Sequence, residues 1–226
     1  MTPDAQGKTS MRVWDLPTRL FHWLLVVLIV LLYATGEFGM LDMRWHFWLG
    51  YATLALIVFR VSWGLLGSQT SRFADFVRGP AAVGRYVKAQ ISTKAHFSLG
   101  HNPLGGWSVL ALLLSVLLQS VTGLFASDGI DTDGPFSGSV SGYTVKLMTR
   151  LHNWNENVLL LLIALHVGAV LFYLLIKHDN LIIPMFTGRK HGVASDALRF
   201  ASAWLALLLL LLSVAAVAVL VWFSGA

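Results

Sequence analysis

One apolar run, LHNWNENVLLLLIALHVGAVLFY over residues 151–173, carries two histidines. His152 and His166 stand 14 residues apart. At about 100° per residue this falls roughly 40° short of four full helical turns, so both imidazoles leave one helix on nearly the same face. The rise between them is about 21 Å, most of the depth of a hydrocarbon core of about 30 Å. One helix thus presents two imidazoles, one towards each membrane surface. Ionisable groups in that setting are costly and read first as functional. Haem ligation is the reading that the rest of the chain has to meet.

Four further apolar runs, at about 20–35, 45–66, 104–125 and 200–223, make this an integral membrane protein of all-α class. Charged residues are 12% of the 226 and hydrophobic residues 56%, where soluble domains carry about 25% charged. Mean hydropathy is +0.70. The length suits one bundle of four spans over 1–199, followed by a helix at 200–226 that has no histidine and reads as peripheral packing. The chain has no cysteine. That excludes disulfides, Cys-ligated iron–sulfur clusters and the C-x-x-C-H haem attachment, and leaves the eight histidines as the natural ligands. The polar first 18 residues show no cleavable signal peptide.

With the N-terminus cytoplasmic, only Arg44, Lys146 and Arg150 of the 16 Lys and Arg residues fall outside. This positive-inside pattern predicts a bacterial inner-membrane protein with a periplasmic C-terminus. It also accounts for the net charge of +5 without nucleic acid. All nine tryptophans fall near predicted span ends, as an interfacial belt would have them. The loop at 67–103 is cytoplasmic in this topology. Within it, Phe73, Phe76, Val77, Val83, Tyr86 and Val87 alternate with Arg72, Arg78, Arg85 and Lys88, an amphipathic stretch for the headgroup layer, interrupted at Gly79-Pro80.

On this topology four histidines sort by depth. His46 and His152 share the outer level; His22 and His166 share the inner level. Each pair offers two imidazoles from different helices, as the two faces of a haem require, and filling both axial positions favours electron transfer over O₂ chemistry. The iron–iron separation would follow the histidine spacing, about 20 Å. Gly50 lies one turn after His46, and Gly36 returns near the face of His22 at the outer level; glycine there either admits a flat ligand or packs helices. Arg44 and Arg150 near the outer level, and Arg12, Arg19 and Arg60 near the inner one, are candidate partners for haem propionates. His96, His101, His178 and His191 lie in cytoplasmic loops and read first as solvated loop residues. His101, in GHNPLGGW at the mouth of the third span, has as its second reading a place that a quinone head could reach, where a histidine could exchange a proton near neutral pH.

The segments VWDLPTRLFHW (13–23), WHFWLGY (45–51), GHNPLGGW (100–107), LHNWNENVLLLLIALH (151–166) and TGRK (187–190) resemble the bacterial cytochrome b-561 family, which includes the b-type cytochrome subunits of nickel–iron hydrogenases. The resemblance implies a four-helix transmembrane core holding two haems b, with His22, His46, His152 and His166 as axial ligands, the same four that spacing selects. The fifth helix is similar to the extra helix of some hydrogenase-type members. The family moves electrons between quinones, soluble or periplasmic cytochromes and partner enzymes.

The expected function is therefore a di-haem electron carrier between a quinone, as substrate, and a periplasmic or membrane-associated redox partner. Asp128, Asp131 and Asp133 of the outer loop would dock a basic protein such as a c-type cytochrome. An alternative is a membrane anchor for a hydrogenase or dehydrogenase. A histidine-dependent proton or metal transporter is the alternative from another class; the scarcity of membrane carboxylates and of matched broken helices counts against it.

Overall fold

The computed structural model describes residues 2–3, 9–91, 100–130, 132–191 and 198–224. In chain order the helices are α1 (Leu16–Glu37), α2 (Met43–Leu66), the short α3 (Phe73–Phe76) and α4 (Pro80–Ile91), α5 (Pro103–Gly123), α6 (Gly142–Leu175), the short α7 (Ile182–Thr187) and α8 (Ala203–Ser224). Five of them, α1, α2, α5, α6 and α8, are long and apolar enough to cross a membrane. The chain is a mostly helical, multi-pass membrane protein.

Each long helix starts at a short polar side chain that accepts from an otherwise unmatched N–H group of the first turn. Asp15 Oδ1 takes the Thr18 N–H at 2.7 Å, Asp42 Oδ1 that of Arg44 at 2.9 Å, and Asn102 Oδ1 that of Gly105 at 2.7 Å. Ser141 Oγ takes that of Thr144 at 3.2 Å and Ser202 Oγ that of Leu205 at 3.2 Å. In α1, α2, α5 and α6 the caps set helix starts ahead of the apolar runs, and in α8 Ser202 sets it just inside the run. The effect is largest in α6, which begins at Gly142 rather than near Leu151. Its 34 residues make a rod of about 51 Å, well beyond a core of about 30 Å.

The chain divides into two compact units, each assembled from pieces of several helices. The first comprises Met1–Leu20, Ser62–Ala111 and Ile163–Ala206. At its centre the Asp15 carboxylate, 2% exposed, receives the Trp63 indole N–H at 3.1 Å and the Ser71 hydroxyl at 3.2 Å besides its capping bond. Trp63 is fully buried, so it is a core residue and not part of an interfacial belt. Trp45, Trp48, Trp107, Trp154, Trp204 and Trp222 are all exposed.

Also in this unit, the 72–90 stretch breaks where expected: α3 ends at Phe76, and Pro80, with no N–H to lose, opens α4. Phe76, however, is 5% exposed and packs on the His101 ring at 4.5 Å. It faces protein, where the sequence placed it on the headgroups. The unit also departs from an all-α fold. Strands β1 (Thr2–Pro3), β2 (Thr9–Arg12) and β3 (Arg189–His191) form a small antiparallel sheet in that order. After α7, Gly188 at φ +77° turns the chain, and its carbonyl accepts the Val13 N–H at 2.8 Å. Lys190, 8% exposed, holds the strand down through Asp179 at 2.9 Å.

The second unit comprises Phe21–Val61, Leu112–Leu162 and Leu207–Ala226. Leu54, Ala55, Leu124 and Val217 form a buried cluster, joined by Leu117, Phe125 and Phe136. Val217 is the contribution of α8. The loop after α5 folds back on it: Gly134 N–H donates to the Ala126 carbonyl at 2.7 Å and Phe136 N–H to that of Leu124 at 2.9 Å. A Cβ at Gly134 would meet the carbonyls of Gly123, Leu124 and Ala126 at 2.6, 2.7 and 2.9 Å, so only glycine fits there.

Candidate functional site

Within the second unit α1, α2, α5, α6 and the loop after α5 enclose a cavity of about 580 Å³, inside the range of about 300–1,000 Å³ common to cofactor sites. Ile29, Leu32, Phe47, Val116, Leu159 and Leu160 are among its apolar lining, and none of the lining residues comes from α8.

His46 of α2 and His152 of α6 enter the cavity with ring centroids 6.5 Å apart and planes inclined at 71°. A metal held between two imidazoles by bonds of about 2.0–2.1 Å puts the ring centres roughly 6.3–6.5 Å apart. Each Nδ1 is tied back to a neighbouring helix. His46 Nδ1 lies 3.1 Å from Thr35 Oγ1. His152 Nδ1 lies 3.2 Å from Thr122 Oγ1 and 3.0 Å from the Gln119 carbonyl. A carbonyl oxygen only accepts, so the His152 proton sits on Nδ1 and its lone pair on Nε2. Among the described residues neither Nε2 makes a hydrogen bond.

Also among the described residues, no group of three or more His, Asp or Glu side chains is placed to hold a bare ion. Two opposed imidazoles suit an ion whose other four sites belong to a flat macrocycle. The donor set and the cavity therefore fit a haem.

The other predicted residues fall as follows. Gly36 makes room for the histidine itself: a Cβ there would lie 3.1 Å from Cε1 of His46. Gly50 lines the cavity, and a Cβ on it would meet nothing within 4 Å. Arg44 and Arg150 are not among the lining residues, whose charged members are Glu37, Asp128 and Glu156. Arg44 is instead paired with Asp42 at 3.0 Å, and that hydrogen bond holds the Asp42 carboxyl below its ordinary range. Arg60 is 2% exposed, its guanidinium 5.9 Å above the Phe21 ring.

In the first unit, Arg19 donates to the Phe186 carbonyl at the end of α7, and Arg12 stacks over Phe200 at 4.4 Å. His101 is packed against Trp14 at 4.8 Å as well as Phe76, so it is not a solvated loop residue. His22, half-buried in the second unit, stands edge-on to Trp23 at 4.9 Å. His166, half-buried on α6, belongs to the first unit. His96 and Asp131 lie outside the described residues.

Four contributors were not read from the sequence. Thr35 and Thr122 anchor the imidazoles. Gly123 admits His152, whose Cε1 would lie 3.0 Å from a Cβ there. Asn155, 2% exposed, donates to the Ser115 carbonyl at 2.9 Å and Gln119 Oε1 at 2.7 Å, and accepts from Ser115 Oγ at 3.1 Å. It fastens α6 to α5 one turn from His152. The visible signal was a repeated Thr-Gly pair, in ATGE and VTGL, each closing an apolar run.

Three curated relatives carry the description "Probable Ni/Fe-hydrogenase B-type cytochrome subunit". That of Azotobacter vinelandii is 25% identical over 226 residues, covering 83% of this chain and 92% of the relative. That of Rhizobium leguminosarum bv. viciae is 22% identical over 229 residues, covering 84% and 95%. That of Azotobacter chroococcum mcd 1 is 25% identical over 226 residues, covering 83% and 92%. No solved structure gives a significant match. The family model for prokaryotic cytochrome b561 matches residues 13–188, most of the chain; the chain belongs to that family and is a membrane b-type cytochrome of electron transfer.

Proposed function

We propose that the chain is a di-haem cytochrome b of the bacterial inner membrane, with a four-helix core, a cytoplasmic N-terminus and a periplasmic C-terminus. It carries electrons between a quinone and a periplasmic or membrane-associated redox partner. His46 and His152 hold the outer haem. His22 and His166, paired by depth in the sequence, hold the inner one. The observation that carries the reading is the pair of opposed imidazoles, 6.5 Å apart across a cavity of cofactor size.

A bound haem supplies a reversible one-electron couple there. The chain does the rest. With His46 on one side and His152 on the other, the group would be held by two protein ligands and O₂ would find no place to bind. Ile29, Leu32, Phe47, Val116, Leu159 and Leu160 give the group an apolar wall to pack on. The hydrogen bonds at Nδ1 hold each ring to one tautomer and one orientation. For a proton exchanged with a quinone head, His101 just before α5 is the candidate.

The reading is tested by a dithionite-reduced spectrum with haem quantification on the wild type, His152→Ala and His166→Ala. Two haems per chain are expected, with each substitution removing or altering one. A colourless wild type overturns the reading in favour of a transporter.

A second reading draws on the relatives, which are described as hydrogenase subunits. Here the chain anchors a hydrogenase and takes electrons from it. Native membranes under hydrogen gas separate the two: the haems become reduced if a hydrogenase feeds them, and stay oxidised if the chain works without one.

A further inference from the structure

The two outer histidines sit in matching seats built on different helix pairs. On α1, Thr35 Oγ1 donates to the carbonyls of Leu31 at 2.8 Å and Leu32 at 3.0 Å, the residues four and three before it. On α5, Thr122 Oγ1 donates to Leu118 at 2.7 Å and Gln119 at 3.1 Å, at the same two offsets. Both threonines are 1% exposed. A hydroxyl has one proton, and here the helix's own carbonyls take it. Each Oγ1 is left with lone pairs only, so it accepts from the imidazole Nδ1–H that faces it; at His152 it shares that N–H with the Gln119 carbonyl, 3.0 Å away. The residue after each threonine is glycine, with the imidazole edge against it: a Cβ would lie 3.3 Å from Nδ1 of His46 at Gly36 and 3.3 Å from Nδ1 of His152 at Gly123.

Two consequences follow for a ligand held this way. Turning either ring breaks its bond to Oγ1, so the two hydrogen bonds hold the rings at the observed 71° between their planes. A hydrogen bond accepted from Nδ1–H also makes the imidazole a stronger donor to a metal at Nε2, which favours the oxidised ion.

We propose that Thr35 and Thr122 are positioning residues for the outer haem: their hydroxyls, acting through His46 and His152, hold the rotation of the ligands and lower the midpoint potential of that couple. The proposal rests on the haem reading above. Its test is made on the purified, full-length holoprotein, with Thr35→Val and Thr122→Val, which keep the side-chain shape and remove the hydroxyl, and Thr35→Ser and Thr122→Ser, which restore it.

Both valine variants are expected to retain two haems, to raise the same one of the two midpoint potentials, and to move its low-spin electron paramagnetic resonance signal. The serine variants return both towards wild type. Unchanged potentials and signals, a shift of both couples alike, or a serine variant that behaves as the valine one, overturn it. If a valine variant sheds one haem, retention by its serine counterpart supports the hydroxyl's role and loss in both overturns it. Failure of the haem reading is seen separately, in a His152→Ala protein whose haem content equals that of the wild type.

Discussion

The two compact units use buried polar groups in opposite ways. Around Asp15, every strong acceptor finds a protein donor: a backbone N–H of α1, the Trp63 indole and the Ser71 hydroxyl all converge on one carboxylate. Such a group is spent on structure. Around the cavity, His46 and His152 are satisfied on one nitrogen only, and the other side of each ring faces a space that no α8 residue lines. A half-satisfied pair of imidazoles is costly in a membrane unless a ligand completes it. The difference teaches where to look for chemistry in an apolar bundle: at polar groups whose protein partners account for only half of their capacity.

The contrast is broken or sharpened by substitution. The largest stability effect belongs to Asp15→Ala, which removes a helix cap and strands the Trp63 and Ser71 donors. Roughly 2–4 kcal/mol is expected. Thermal unfolding in detergent should show the drop, while the midpoint potentials of the surviving holoprotein stay at their wild-type values. A shift in either potential would blur the division between the two regions.

Asn155→Leu comes next. Interhelical hydrogen bonds in membranes average about 0.6 kcal/mol and reach about 1.7, so loss of this cluster should cost roughly 1–2 kcal/mol. Unlike Asp15→Ala, it should also lower the temperature at which haem is released, followed by the loss of the visible band.

Gly123→Ala is expected to act more gently. The new methyl would lie 3.0 Å from Cε1 of His152, and the ring must give by a few tenths of an ångström. Both haems should remain, with one reduced absorption band shifted or broadened; identical spectra would show that the seat is looser than the contact implies.

The smallest effect is at the exposed rim. The Asp42 carboxyl lies below its ordinary range because Arg44 donates to it. A lowered folded-state value stabilises above the unfolded value and is lost as pH falls through the folded one. Wild type and Asp42→Asn should therefore converge in stability on acidification below about pH 4. A gap that widens towards acid would reverse the sign.

Part of the site was legible because depth in an apolar run follows from periodicity. His152 on one run and His46 at the outer end of another stand at one level before any contact is known, and the structure brings those two rings together. The five spans followed from the same signal, but their starts did not. Asp15, Asp42, Asn102 and Ser141 cap their helices from within segments that read as polar loop, while Ser202 starts α8 inside the apolar run itself. Local capping chemistry thus outweighed mean hydropathy. Trp63 and Phe76 were misplaced because an aromatic near a span end serves lipid or core equally well by composition. What separates the two roles is a partner distant in sequence, Asp15 for one and His101 for the other. Arg44 was assigned to a propionate by depth, and a carboxylate two residues away holds it. Thr35 and Thr122 went unread because threonine is common in apolar helices, and only the facing imidazole reveals the repeat.

The central claim is that His46 and His152 serve one haem. Haem content per chain in His46→Ala, His152→Ala and the double variant tests it most directly. The account predicts the same loss in all three, one haem of two, with the remaining haem keeping its wild-type potential. A double variant that loses both haems while each single variant loses one would contradict it, for the two histidines would then serve different irons.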